Sequence, residues 1–192
     1  PEKKAMPLLE NEQPDVCADR LDYCLRDSLV FGTAKKPDVD KILESMRVIN
    51  GKIVFDKASA ENLARIFLTL SSQFYASPFQ AGSYRMLADA LKTALKGEII
   101  TEQDLMQTDD YVLGKLAGSG NEEILLCLAS ITREQIHEVS EGGIYVRTKF
   151  RYIDPLFEEN RKLVRVMDAN AELRRYKDEL GKIITKGYRV SA

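Results

Sequence analysis

One short stretch brings two carboxylates, a phenol and a guanidinium together, Asp19, Asp27, Tyr23 and Arg20, a set of side chains able to bind or catalyse. They lie within PDVCADRLDYCLRDSLVF, from Pro14 to Phe31, which reads as one helix over 15–31. Pro14 is tolerated at a helix start, where a missing N–H costs nothing, and Asp15 suits the positive end of the helix dipole. Gly32 is a natural stop. At about 100° per residue, Cys17, Leu21, Cys24, Leu25 and Ser28 share one side, and Asp19, Arg20, Tyr23 and Asp27 share an arc on the other. The polar front is either a solvated face, with Asp22 and Arg26 as an ordinary i,i+4 ion pair, or one wall of a site.

The other reactive groups point to less. The single histidine, His137, lies in the polar run TREQIHEVS with no second His or Cys at ligand spacing, and reads as a helix-surface residue. Three cysteines, Cys17, Cys24 and Cys127, form no CxxC pair. Cys17 and Cys24 are seven apart on one helix, about 10 Å along its axis, too far to bridge. All three read as small buried hydrophobes of a reducing compartment, which implies a cytoplasmic protein. Cys127, in ILLCLA, is inert core rather than a nucleophile. GSGN at 118–121 and the Gly142-Gly143 pair lack the lysine and the strand–helix context of a phosphate cradle, and read as turns.

The 192 residues allow one ordinary domain or slightly more, and 44% hydrophobic content is enough for a real core. A net charge of −2 argues against a dedicated nucleic-acid binder. No apolar run approaches the roughly 18 residues of a membrane span, and the opening PEKKAMPLLENEQPD has no signal-peptide core. Residues 161–192 hold nine Lys/Arg against four Asp/Glu, which reads as a solvated basic face, with contact to phosphates or an acidic partner as the alternative.

As it stands, ADRLDYCLRDS resembles the final motif of the HD superfamily of metal-dependent phosphohydrolases, in the branch that includes deoxynucleoside triphosphate triphosphohydrolases. There a helix carries Asp-Lys/Arg-x-Asp-Tyr-x-x-Arg-Asp. Asp19, Arg20, Asp22, Tyr23, Arg26 and Asp27 match every fixed position. More loosely, residues 77–116 and RTKFRYIDPLF are similar to the region that follows that helix in bacterial relatives. The resemblance implies that Asp19 is the last protein ligand of a divalent metal, for which a carboxylate is a suitable hard donor. It implies that Arg20 approaches substrate phosphate, Tyr23 packs against the sugar and Asp27 accepts from a sugar hydroxyl. Asp22 and Arg26 would fix the helix to its surroundings.

The family also supplies a His and then an adjacent His-Asp pair to its metal. This sequence has no His-Asp pair, and its only His follows the helix. One of four expected ligands does not hold a catalytic ion, which takes three or more protein ligands in typical sites. The chain is therefore expected to be the C-terminal portion of a larger phosphohydrolase of nucleotides or related phosphate esters, incomplete by itself and binding no metal alone. An initial Pro1 instead of Met fits a piece of a longer chain. The alternative is a non-catalytic helical interaction or regulatory module. If a catalytic bundle is missing, Leu21, Cys24 and Leu25 lose partners, which implies an exposed apolar edge and a homo-oligomer.

The elements that must position this helix read as a mainly α helical array, with residues 1–32 as the last helix of the catalytic domain and its lead-in, and 33–192 as a C-terminal helical region. Residues 1–13 read as an extended or frayed lead-in, and a second helix starts at Pro37. Asn50-Gly51 between alternating apolar residues predicts a hairpin with strands at 47–49 and 52–55. Ser59 opens a helix through Tyr75, and Ser77-Pro78 opens another to about residue 96, with Tyr84, Leu87, Leu91 and Leu95 as its stripe. Further helices start after Thr101, at Thr108 or Asp109, and at Asn121. IYVRTKFRYID predicts one strand of about eight residues, paired across the loop FEENR with a shorter one at KLVRVMD. A charged helix follows Asn170, and KGYRV has some strand character.

Overall fold

The structure, a computed structural model, describes residues 6–191. The chain divides into two compact units: one of Pro1–Ala76 with Lys149–Thr185, the other of Ser77–Thr148 with Lys186–Ala192. It is mainly α, with eight α-helices and two small sheets among the described residues.

The first unit contains α1 (Ala18–Val30), α2 (Lys36–Ser45), β1 (Arg47–Ile49), β2 (Lys52–Phe55) and α3 (Lys57–Leu70). After a long gap in sequence it adds β4 (Leu156–Glu159), β5 (Lys162–Arg165), α7 (Val166–Ala169) and nearly all of α8 (Ala171–Lys186). The hairpin forms over the expected residues, because Asn50 and Gly51 both take the positive φ that a type I′ turn needs. It is not free-standing. β2 pairs in parallel with β4, Val54 beside Leu156 and Phe55 beside Phe157, giving a four-stranded sheet in the order β1-β2-β4-β5.

The late strands therefore differ from expectation. Only Ile144–Val146 of IYVRTKFRYID is a strand, and residues 147–155 are not. Most of FEENR is itself β4, which turns at Asn160-Arg161, both at positive φ, into β5. Phe157 is drawn into the sheet because it is fully buried beside Phe55 and the α3 residues Leu63 and Phe67.

Helix α1 starts three residues later than its sequence suggests. Asp15 does not sit in its first turn, because its carboxylate pairs with Arg165 and accepts from Asn11 Nδ2 at 3.1 Å. The N-cap, Cys17, has no side-chain cap. Instead the Ala18 and Asp19 amides donate to the carbonyls of Leu8 and Leu9, at 2.7 and 3.2 Å. These would otherwise be orphan donors of a helix start. From residue 6 onward the lead-in is thus a folded cap rather than a frayed end; residues 1–5 of that expectation lie outside the described residues. Asp56, not Ser59, caps α3, accepting from the Ser59 amide at 2.8 Å. Beyond Leu70 the helix widens into a π-helical turn, Ser71–Tyr75.

The second unit contains α4 (Pro78–Lys96), α5 (Asp109–Ala117), α6 (Glu122–Ser130), β3 (Ile144–Val146) and β6 (Tyr188–Val190), with β3 and β6 antiparallel. Ser77, Thr108 and Asn121 cap the three helices with their side chains. The buried line of α4 is Met86, Ala90 and Ala94, whereas Tyr84 is exposed and Leu87, Leu91 and Leu95 are only half-buried. Ala90 and Ala94 hold the part of the inner line that faces α6, where small side chains allow close approach. A Cβ on Gly82 would stand 2.6 Å from Ile136, so only a hydrogen fits there. His137 is exposed as expected but lies outside any helix, where its amide donates to Ser191 Oγ at 3.1 Å.

Phe157→Ala removes a wholly buried ring from the first unit. The expected loss is about 3–5 kcal/mol of unfolding free energy, read from the urea midpoint.

Candidate functional site

The two sides of α1 separate as its periodicity implies. Leu21, Cys24, Leu25 and Ser28 are buried. They are largely closed off from solvent, and Leu21 and Leu25 also line the floor of an apolar groove between α1, α2 and the lead-in. On the front, Asp19 is exposed, while Arg20, Tyr23 and Asp27 are half-buried.

The front is closed by the π-helical turn. Tyr75 Oη donates to Asp27 Oδ2 at 2.7 Å, and the Tyr75 ring meets the Tyr23 ring edge-on at 6.0 Å. Phe67 stands 6.3 Å from Tyr23 and 6.2 Å from Tyr75, completing a three-ring cluster. One turn further, Phe31 stacks on Phe74 at 4.0 Å. The wider π turn brings Phe74 and Tyr75 onto adjoining parts of α1, an irregularity often found at functional sites. Tyr75 is the site residue that sequence reasoning missed. Its only signal was an aromatic pair just before the break at Ser77-Pro78.

Arg20 is largely committed to the lead-in. Its Nη1 donates to the Asp15 carbonyl at 2.6 Å and to Cys17 Sγ at 3.4 Å, and its Nη2 donates to the Asn11 carbonyl at 3.0 Å. Its Nε is buried with no partner. Asp22 and Arg26 pair with each other at 2.8 Å in the open. They sit at the rim of an apolar groove of about 460 Å³, lined by Leu8, Leu9, Leu29, Leu43, Met46 and Val48 among others.

Burial raises the Tyr75 phenol well above its ordinary range, and the bond to Asp27 raises it further because a phenolate would face that carboxylate. Burial also raises Tyr23, with the Arg20 charge opposing it. Burial, helped by Asp27, pushes the Cys24 thiol up to about 12. The face thus offers an open carboxylate at Asp19 and, two turns along, a carboxylate that accepts from a neutral phenol. Among the described residues no three His, Cys, Asp or Glu side chains come together to hold a metal ion. Asp19 alone does not fit a complete metal site.

No protein-family model matches the chain. No solved structure matches it either. Two curated proteins do. The chain is 35% identical over 151 residues to the uncharacterized protein YdhJ of Bacillus subtilis, covering 77% of this chain and 46% of that protein. It is 28% identical over 162 residues to the metal-dependent phosphohydrolase cns2 of Cordyceps militaris, covering 80% of this chain and 47% of that one. The chain spans about half the length of the curated relatives it matches. One of them carries the name of a metal-dependent phosphohydrolase, which agrees in outline with the resemblance of the α1 motif. Among the described residues no helix is long and apolar enough to cross a membrane.

Two outcomes follow from the geometry. Unfolded phenols ionise near pH 10, so above that pH the folded chain keeps protons that the unfolded chain has lost. The contribution of Tyr23 and Tyr75 is complete below about pH 10 and is lost as pH rises toward their folded values. The urea midpoint should fall between about pH 9 and pH 11, and Tyr75→Phe should make that fall shallower; an unchanged slope would exclude Tyr75 as its source. Among the three thiols, the half-buried Cys127 should react first with a disulfide reagent at neutral pH, with Cys17 and Cys24 reacting only on unfolding.

Proposed function

We propose that this chain is the C-terminal portion of an HD-type metal-dependent phosphohydrolase, of the deoxynucleoside triphosphate triphosphohydrolase-like branch, and that the front of α1 is one wall of its nucleotide site. The observation that carries this reading is the assembly on one face of an exposed Asp19, without an ion pair among the described residues, with Tyr23 and a Tyr75-held Asp27. The relative named as a metal-dependent phosphohydrolase supports the reaction class.

In this reading Asp19 contributes one ligand, and the other ligands come from parts of the whole protein outside these residues. A bound divalent ion would neutralise phosphate charge and supply an activated water. The residues here bind and orient. Tyr23 presents a ring to the sugar, with Phe67 behind it. Asp27 accepts from a sugar hydroxyl on the oxygen that Tyr75 leaves free. Tyr75 fixes that carboxylate, since a hydrogen-bonded phenol on one oxygen leaves the other with a defined direction. Arg20, anchored to the lead-in carbonyls, brings positive charge to the Asp19 end. From Asp19 to Asp27 the helix rises about 12 Å, which suits a nucleotide lying along it with phosphate at the N-terminal end.

A second reading, a helical interaction module that self-associates, is favoured by the apolar groove on the other side of α1. It predicts a sedimentation coefficient that rises with concentration and falls back when Leu43→Glu is introduced.

The test of the first reading is an assay of the full-length protein with deoxynucleoside triphosphates and Mn²⁺ or Mg²⁺. Asp19→Asn should reduce turnover at least about a thousandfold. Asp27→Asn should act mainly on KM, the sign of lost substrate contact. Absence of any metal-dependent phosphatase activity in the full-length protein would overturn the reading.

A further inference from the structure

We infer that Arg151, far from α1 in sequence, is the substrate-side cation of this site and receives the phosphate of the ligand as an open guanidinium fork. This rests on the reading of the α1 front as a phosphate-ester wall and adds the residue that contacts the anion.

The need for such a residue comes from Arg20. A guanidinium recognises phosphate best by offering two parallel N–H donors. Arg20 does not offer them: both its amino groups donate to the lead-in, and its Nε is buried. Two further arginines near α1 are also engaged. Arg26 pairs with Asp22, and Arg165 pairs with Asp15 while donating to the Asp154 carbonyl at 2.9 Å. Arg151 differs from all three. Its side chain is exposed, and among the described residues its guanidinium makes no ion pair or hydrogen bond.

Its backbone, by contrast, is pinned. The Arg151 carbonyl accepts from Ser71 Oγ at 2.9 Å. Ser71 is the first residue of the π-helical turn that carries Tyr75, and Tyr75 holds Asp27. On either side, Phe150 and Tyr152 are half-buried against the core of the first unit and lie 5.9 Å apart, with Lys177 Nζ 4.9 Å above the Tyr152 ring. With both neighbours turned inward, the extended segment sends Arg151 outward. The charge of Arg151 also bears on the Tyr23 phenol, favouring its ionised form against burial. The result is a base fixed to the π-helical turn and a free arm on the side of the first unit that carries Tyr75 and Tyr23.

The test is an NMR titration of the 192-residue chain with inorganic tripolyphosphate at low ionic strength. Expected are amide shifts at residues 19–27, 71–75 and 151 in the wild type. Arg151→Ala should weaken the apparent affinity at least tenfold, Arg151→Lys should recover part of it, and Lys41→Ala, on an exposed part of α2, should leave it unchanged. Equal affinities of the wild type and Arg151→Ala would overturn the assignment of Arg151 and leave the phosphate wall standing. No shift at residues 19–27 in the wild type would overturn the wall, and Arg151 with it. Spectra of the free variants that superimpose away from position 151 separate either result from unfolding.

Discussion

The parallel pairing of β2 with β4 is the constraint on which the first unit depends. It joins residues about a hundred positions apart, Val54 with Leu156 and Phe55 with Phe157. An antiparallel pair can close through a short turn, but a parallel pair requires a long crossover. Once made, the pairing buries Phe55 and Phe157 together against α3. It also holds the segment just before β4 near the end of α3, where the Arg151 carbonyl meets Ser71. Without it, the polar front of α1 would have no late segment beside it.

The front of α1 shows how one helix gives two carboxylates unlike settings. Asp19 stands in water at the start of the helix. Asp27, two turns on, shares a proton donor with a half-buried aromatic cluster. A hydrogen bond from a neutral phenol is directional without cancelling the charge, so Asp27 remains an acceptor for a further donor. The rings behind it lower the local dielectric response and strengthen whatever polar contact forms there. Arg20 adds a fixed positive charge at the other end by serving as a structural clip between the helix start and its lead-in.

Local signals in the sequence were strong where a short stretch decides the structure. The two faces of α1, the Asn50-Gly51 hairpin and the side-chain caps at Ser77, Thr108 and Asn121 all depend on residues within one or two turns of each other. Signals failed where a distant partner decides. The run 144–154 alternates like a strand, yet only its first three residues find a partner, Tyr188–Val190, while strand pairing moves to the less alternating LFEE because β2 lies there to receive it. The inner line of α4 went to alanines instead of leucines because close approach to α6 outweighs side-chain size. At the site, Asp19, Arg20, Tyr23 and Asp27 were legible as a helical front. Tyr75 and the captivity of Arg20 were not, since one depends on a π turn and the other on loop carbonyls that carry no side-chain signature.

The interleaving of the two units bears on how the chain must be made. The first unit needs residues 149–185 to complete its sheet and core, and the second needs β6, at 188–190, to pair with β3. As these residues emerge during synthesis, the helices of residues 18–70 precede residues 149–185, and until those follow, Phe55, Leu63 and Phe67 lack their packing partner Phe157. Residues 149–185 close the first unit and the adjoining residues 188–190 close the second. In the interval between residues 18–70 and 149–185 the first unit has an incomplete core, and transiently exposed apolar surface of this kind is what chaperones hold.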